Sequence, residues 1–199
     1  MKRIILRIAG IILLISLCSC NITITGLCSG YSKLSERYKE NIVFLDVKDN
    51  LCEQKEDGKI YVITGDHLYK CIEKQDNAMV YLWGPLCSSK YCYPLSYIQS
   101  YCDSHGYILY VIAEYYDETT ISAQQKNISQ PLLSINDKFY KTRYCNKYRK
   151  LFLKDLIRDI TPSKEILKYH RVFIFNYGKL ASSSLHLEDD TDKWELITP

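Results

Sequence analysis

The stretch from Met79 to Asp117 constrains the fold more than any other part of the chain. It opens with an apolar run, Met79-Val80-Tyr81-Leu82-Trp83, broken by Gly84-Pro85. Two cysteines follow, Cys87 and Cys92, then a helical pattern through Ser104, a stop at His105-Gly106, and a second apolar run from Tyr107 to Ala113. Short apolar runs bounded by turn residues have the character of buried strands. A strand, a helix and a strand of this length form a βαβ unit with parallel strands. Ligands of such units lie beyond the carboxyl ends of the strands, and Cys87 falls at that end.

The flanking segments extend the pattern on both sides. Ser32 to Lys39 is expected to form a first helix, and Asn41 to Val47 a strand. Asp49 to Gly58 is charged and turn-like, Lys59 to Thr64 a clearer strand, and Gly65-Asp66 opens a helix with Leu68, Tyr69 and Ile72 inside. Beyond Asp117, Glu118 to Gln130 is loop or short helix, and Pro131 to Ile135 a turn or short segment. Asp137 to Ile160 has helical periodicity, as one helix or two. Arg171 to Phe175 is a buried strand, and Asn176-Tyr177-Gly178 turns it into a returning edge strand, Lys179 to Ser183. The expected class is α/β, with a mixed central sheet and helices on both faces.

The first 20 residues differ in kind. Lys2, Arg3 and Arg7 precede an apolar run from Ile8 to Leu17, too short to span a bilayer comfortably. These three residues account for the whole excess of 26 basic over 23 acidic side chains. The remainder carries no basic stripe, so nucleic-acid binding is not expected. Leu17-Cys18-Ser19-Cys20 resembles the bacterial lipobox, with leucine three places before the cut, a small residue just before it and cysteine after it. The resemblance implies cleavage after Ser19, acylation of Cys20 and a membrane held as partner through several acyl chains. The alternative is a plain secretory signal with a coincidental cysteine. Export permits disulfides in either case. The expected divisions are a leader at 1–19, anchor, tether and extension at 20–58, an α/β domain at 59–185, and a tail at 186–199.

The order of elements, with Val80 to Cys87 (VYLWGPLC), Tyr107 to Asp117 and His170 to Lys179 (HRVFIFNYGK), resembles the thioredoxin fold. Among its members the chain is most similar to membrane-tethered thiol-disulfide lipoproteins of Bacteroidetes-type bacteria. That resemblance implies a cell-envelope location, with the periplasmic face of the outer membrane favoured, and partner proteins bearing thiols or disulfides. Two departures stand out. Lys90 occupies the place of the second cysteine of Cys-x-x-Cys, with Cys92 two residues later, and His170 aligns with the cis-proline that flanks the family's site. Fold transfers more readily than catalysis.

Cys87 has the better physical case for reactivity. At a helix N-terminus its sulfur would face unpaired N–H groups, which favour thiolate, and Lys90 would add positive charge. Cys87 and Cys92 would stand about 140° apart on an ideal helix, whereas a disulfide needs Cα atoms within ~7 Å. The first turn must therefore be irregular or unwind for them to join. A subset of peroxiredoxins resembles this spacing, but Val80 and Gly84 stand where that family's motif has Pro and Thr. His170 would lie near Cys87 in a thioredoxin fold, as activator or simply in place of the proline.

Outside the leader there are seven non-lipidated cysteines, so at least one thiol stays unpaired in a monomer. Cys71 and Cys102 fall on apolar helix faces and are expected in the core, whereas Cys28 and Cys52 are candidates to staple the extension. None has zinc-site spacing, and no phosphate loop or hydrolase elbow is present, so neither metal nor cofactor is expected. Two functions follow: thiol-disulfide chemistry at Cys87, or a redox-inactive binding module for a protein or glycan. The second would use a tyrosine-rich surface including Tyr91, Tyr93, Tyr115 and Tyr116, drawn from the 18 tyrosines of the chain.

Overall fold

The computed structural model describes residues 28–187 and the backbone of 195–196; the expected leader at 1–19, Cys20 and the rest of the tail lie outside these residues. The strands are β1 (Ile42–Phe44), β2 (Ile60–Ile63), β3 (Ala78–Trp83), β4 (Ile108–Ala113), β5 (Leu132–Ile135), β6 (Val172–Asn176), β7 (Lys179–Ser184) and β8 (Glu195–Leu196). The helices are α1 (Glu36–Lys39), α2 (Gly65–Ile72), α3 (Leu95–His105), α4 (Glu118–Gln124), α5 (Cys145–Leu156) and α6 (Lys164–Tyr169). All strands join one mixed sheet in the order β1-β2-β5-β4-β3-β6-β7-β8. β1 through β5 run parallel, and β6, β7 and β8 are each antiparallel to their neighbour.

Period-two alternation in the central strands builds two cores. Val80, Leu82, Tyr110, Ile112, Phe173 and Phe175 face α2, α5 and α6, whereas Met79, Tyr81, Leu109, Val111, Val172 and Ile174 face α1, α3 and α4. Burial on both faces is why β3 is apolar at every position. The expected α/β class holds, with RVFIF in the sheet beside β3 and the returning strand antiparallel to it. The hairpin turns on Tyr177 and Gly178, both at positive φ, the geometry that matches the twist of a two-residue connection.

Three expectations change. Pro131 to Ile135, expected as a turn or short segment, holds a sheet strand: Leu132–Ile135 is β5, inserted between β2 and β4. The periodicity of 137–160 yields a helix only over Cys145–Leu156, because residues 137–142 form turns with Lys141 at positive φ. The first helix is split into a 3-10 turn at Tyr31–Lys33 and α1, the latter capped by Ser35. The sheet also starts ahead of Lys59, with β1 as its edge strand.

Local chemistry fixes α2 firmly. The Thr64 hydroxyl accepts from the His67 N–H, and His67 Nδ1 accepts from the Thr64 N–H. The remaining ring proton therefore sits on Nε2, 2.9 Å from Asp46 O, and ties the N-terminal segment to the helix. Cys71 of α2 also bonds to Cys52, so the expected core thiol is half of the staple. A cross-link closing a loop of this size contributes about 3 kcal/mol in the chain-entropy account. Cys102 is in the core as expected, its thiol 3.4 Å from Met79 Sδ and pushed up to about 12 by burial.

Candidate functional site at the carboxyl end of the central strands

The ends of four strands converge at one edge of the sheet. β3 and β4 finish there, β6 begins there after His170 and Arg171, and β7 ends there at Ser184. Backbone hydrogen bonds lace the row together: Glu114 N–H to Trp83 O, Leu82 N–H to Arg171 O, and Arg171 N–H to Ser184 O, each 2.8 Å.

Over this edge lies the loop from Gly84 to Pro94. Cys87 does not begin a helix, contrary to expectation: α3 starts at Leu95, with Pro94 as its N-cap. Proline disfavours helical backbone in the residue before it, so the helix cannot extend back through Tyr93 toward the cysteines. The dipole argument for a Cys87 thiolate fails with it, since that field falls off within the first turn. Cys92, expected deeper in the helix, precedes it as well.

Two tight turns replace the helix. Cys87 N–H donates to Gly84 O (2.9 Å) and Cys92 N–H to Ser89 O (3.0 Å). Folding back this way brings the Cα atoms to 5.9 Å, and Cys87 and Cys92 are joined in a disulfide. The expected irregularity of the first turn is thus carried to completion. Both cysteines are half-buried. Ser89 Oγ lies 3.6 Å from Cys87 Sγ and 3.4 Å from Cys92 Sγ, and accepts from Tyr91 N–H. A disulfide sulfur has no proton to give, so the Ser89 hydroxyl is the donor to the sulfurs. Lys90 turns its ammonium over the Tyr91 ring, 5.0 Å from the centroid, and Tyr91 stacks on His186.

Tyrosines from the two neighbouring strand ends pin the loop. Tyr115 Oη accepts from Leu86 N–H (3.0 Å), and Tyr81 Oη accepts from Tyr93 N–H (3.1 Å). Burial pushes the Tyr81 phenol up to about 12 and raises that of Tyr115, so both remain protonated. Gly84 lies close beneath the loop: a Cβ there would meet Tyr115 Oη at 3.3 Å and Cys87 Cβ at 3.4 Å. The expected tyrosine surface is only partly exposed. Tyr116 is buried, which raises its phenol, and Tyr91, Tyr93 and Tyr115 are half-buried.

Below the loop sits an ionic triad that the sequence did not announce. Glu114, directly after β4, has Oε1 3.1 Å from Arg149 Nε and Oε2 2.8 Å from Arg171 Nη1. Arg149 is 6% exposed and Glu114 8%. Arg149 also donates to Lys168 O and His170 O, and Arg171 to Leu82 O. Its Nε faces Glu114 as an ion pair without hydrogen-bond alignment. Desolvation lowers the Arg149 pKa, with Glu114 opposing it. The available signals were a carboxylate ending an apolar strand and an arginine on the apolar stripe of α5, beside Tyr148 and one turn before Phe152.

His170 is buried at the end of α6, with Nδ1 2.9 Å from Ser183 Oγ. It is in extended backbone and holds the position from which the chain enters β6. The structure therefore brings Cys87, Cys92 and Ser89 together in one loop, with Lys90 on its outer side and His170 in the row beneath. Among the described residues there is no cluster of three or more metal-ligating side chains, and no helix is long and apolar enough to cross a membrane. No protein-family model, curated protein or solved structure matches the chain.

Proposed function

We propose that this chain is an envelope lipoprotein that exchanges disulfides with thiol proteins through Cys87 and Cys92. The observation that carries the proposal is the placement of both cysteines in one turn-built loop at the carboxyl ends of parallel strands, with the Ser89 hydroxyl against both sulfurs. The run β4-β3-β6-β7, parallel in its first pair and antiparallel in the rest, supports a thioredoxin-like core around that loop. In the reaction a substrate thiolate attacks one loop sulfur, and the other leaves as thiolate, stabilised by the Ser89 O–H. A second substrate thiolate then attacks the substrate sulfur of the mixed disulfide. The products are a substrate disulfide and a Cys87/Cys92 dithiol, two electrons having passed to the protein.

The test is turnover of a dithiol peptide by the full chain, with oxidised glutathione to regenerate the loop disulfide. Wild type is expected to accelerate peptide oxidation, and Cys87→Ser and Cys92→Ser each to fall to the uncatalysed rate. Turnover that survives both substitutions, or is absent from wild type, removes the redox proposal and leaves the redox-inactive binding module. The anchor has its own measurement. Wild type is expected in the detergent phase and Cys20→Ala is expected to carry no acyl chain by mass spectrometry, because several acyl chains hold a protein on a membrane durably. Aqueous partition of wild type would end the lipoprotein proposal.

A further inference from the structure

Three cysteines remain as thiols among the described residues: Cys28, Cys102 and Cys145. Cys102 is fully buried between α3 and β3, with its sulfur against Met79. The other two meet where the N-terminal segment crosses the start of α5. Cys28 forms an isolated antiparallel bridge with Tyr144, the residue immediately before Cys145. Opposed Cα atoms in such a bridge stand about 4.5–5.5 Å apart. The diagonal neighbour, Cys145, is then roughly 6 Å away, inside the ~4.4–6.8 Å span of disulfides. It is near enough that, after burial, charge on Cys28 also raises the Cys145 thiol. Strand alternation puts its Cβ on the face away from Tyr144, so the step from Tyr144 into α5 turns as the bond closes.

The crossing is held by contacts that involve neither sulfur. Ser29 O accepts from Tyr116 N–H at 2.7 Å, and Ser29 Oγ donates to Asp137 Oδ2 at 2.8 Å. Gly30 passes so close to Tyr116 O that a Cβ would sit 2.9 Å from it. Cys28 is half-buried, whereas Cys145 is 6% exposed and its Sγ lies 2.8 Å from Tyr148 Oη.

We propose that Cys28 and Cys145 form a third disulfide, which fastens the segment following the leader onto α5 beside the candidate site. It leaves Cys102 as the single thiol that an odd count requires. The chemistry needs a disulfide oxidant, R–S–S–R, of the kind an oxidising compartment supplies. Cys28, the more accessible, attacks first and releases one R–SH, giving a Cys28–S–S–R mixed disulfide. Cys145 then loses its proton and attacks the Cys28 sulfur, and the departing R–S⁻ takes up a proton to become the second R–SH. Two protein thiols and one R–S–S–R become one cystine and two R–SH. The second attack is the slower, since burial pushes the Cys145 thiol up to about 11. This cross-link does not depend on the Cys87–Cys92 reaction.

The experiment exposes the folded full chain to oxidised glutathione, then unfolds it, alkylates it and maps the unreduced peptides. A peptide joining Cys28 to Cys145 is expected, with free thiols among these three falling to Cys102 alone. Cys145→Ala is expected to stop at a glutathione adduct on Cys28, and Cys102→Ala to leave the cross-link intact. The proposal is overturned if all three thiols survive oxidation, if wild-type Cys28 ends as a stable glutathione adduct, or if it ends in an interchain dimer. The wild-type map decides even if a variant does not fold.

Discussion

Glu114→Ala is expected to destabilise the fold by about 3–5 kcal/mol, because it strands a buried arginine without its counter-ion. In a domain of this size that corresponds to a fall in Tm of roughly 10 °C. Both measurements, urea midpoint and thermal scan, can be made on the oxidised full chain. The cost falls chiefly on Arg149, whose side chain is 7% exposed, and less on Arg171 at 21%, which can be rehydrated. Removing the partner arginine does not rescue the variant. Arg149 also caps Lys168 O and His170 O, at the end of α6 where carbonyls lack intrahelical partners. Each carbonyl left bare in the interior costs about 1–3 kcal/mol. The double variant Glu114→Met, Arg149→Met is therefore expected to remain well below wild type, unlike buried ion clusters that apolar residues replace without loss. A Glu114→Ala protein within 1 kcal/mol of wild type would mean that water reaches the triad and that it is not a buried charge cluster.

The same residues show where sequence reasoning reached and where it stopped. β2, β3, β4 and β6 were legible because strands buried on both faces must be apolar at nearly every position. β5 was hidden by Ser134, whose hydroxyl lies against Ala113 O, and by the proline at its threshold. α6 is too short for periodicity to speak, and its one sign is the Ser163 cap. The loop of the candidate site was placed correctly at the end of β3 but given the wrong shape. Nothing between Cys87 and Tyr93 breaks a helix, and the decisive residue, Pro94, acts backwards on its predecessor. Arg149, Glu114 and Arg171 come from three separate elements, and only the sheet order brings them together. Cys52 and Cys71 likewise needed the packing of an extension against α2 before their pairing could be named.

Gly65→Ala is the second large effect, and it follows from backbone packing alone. Gly65 opens α2 where that helix meets the C-terminal half of α5. A Cβ there would stand 2.5 Å from Phe152 O, 2.6 Å from Leu156 N and 2.9 Å from Asp155 C. All three are backbone atoms of a helix, so no rotamer change relieves them. The junction is also fastened by polar contacts: Gly65 N–H donates to Tyr140 Oη, Asp66 N–H to Asp155 Oδ2, and Arg158 pairs with Asp66. Moving α5 away breaks the bond from Asp66 N–H to Asp155 and disturbs Phe152 and Leu156, both fully buried. Overpacking typically costs about 1–3 kcal/mol, and contact with three backbone atoms of one helix places this site at the top of that range or above it. Gly58→Ala separates clash from conformational strain. Gly58 has φ +78° with open space around it, so its cost is limited to the roughly 1–2 kcal/mol of left-handed backbone. Chemical denaturation of the two variants is expected to rank Gly65→Ala the more damaging. The reverse order would show that α2 and α5 can separate freely. In that event Arg149, carried by α5, would shift with it, and its pairing with Glu114 at the end of β4 would be disturbed as well.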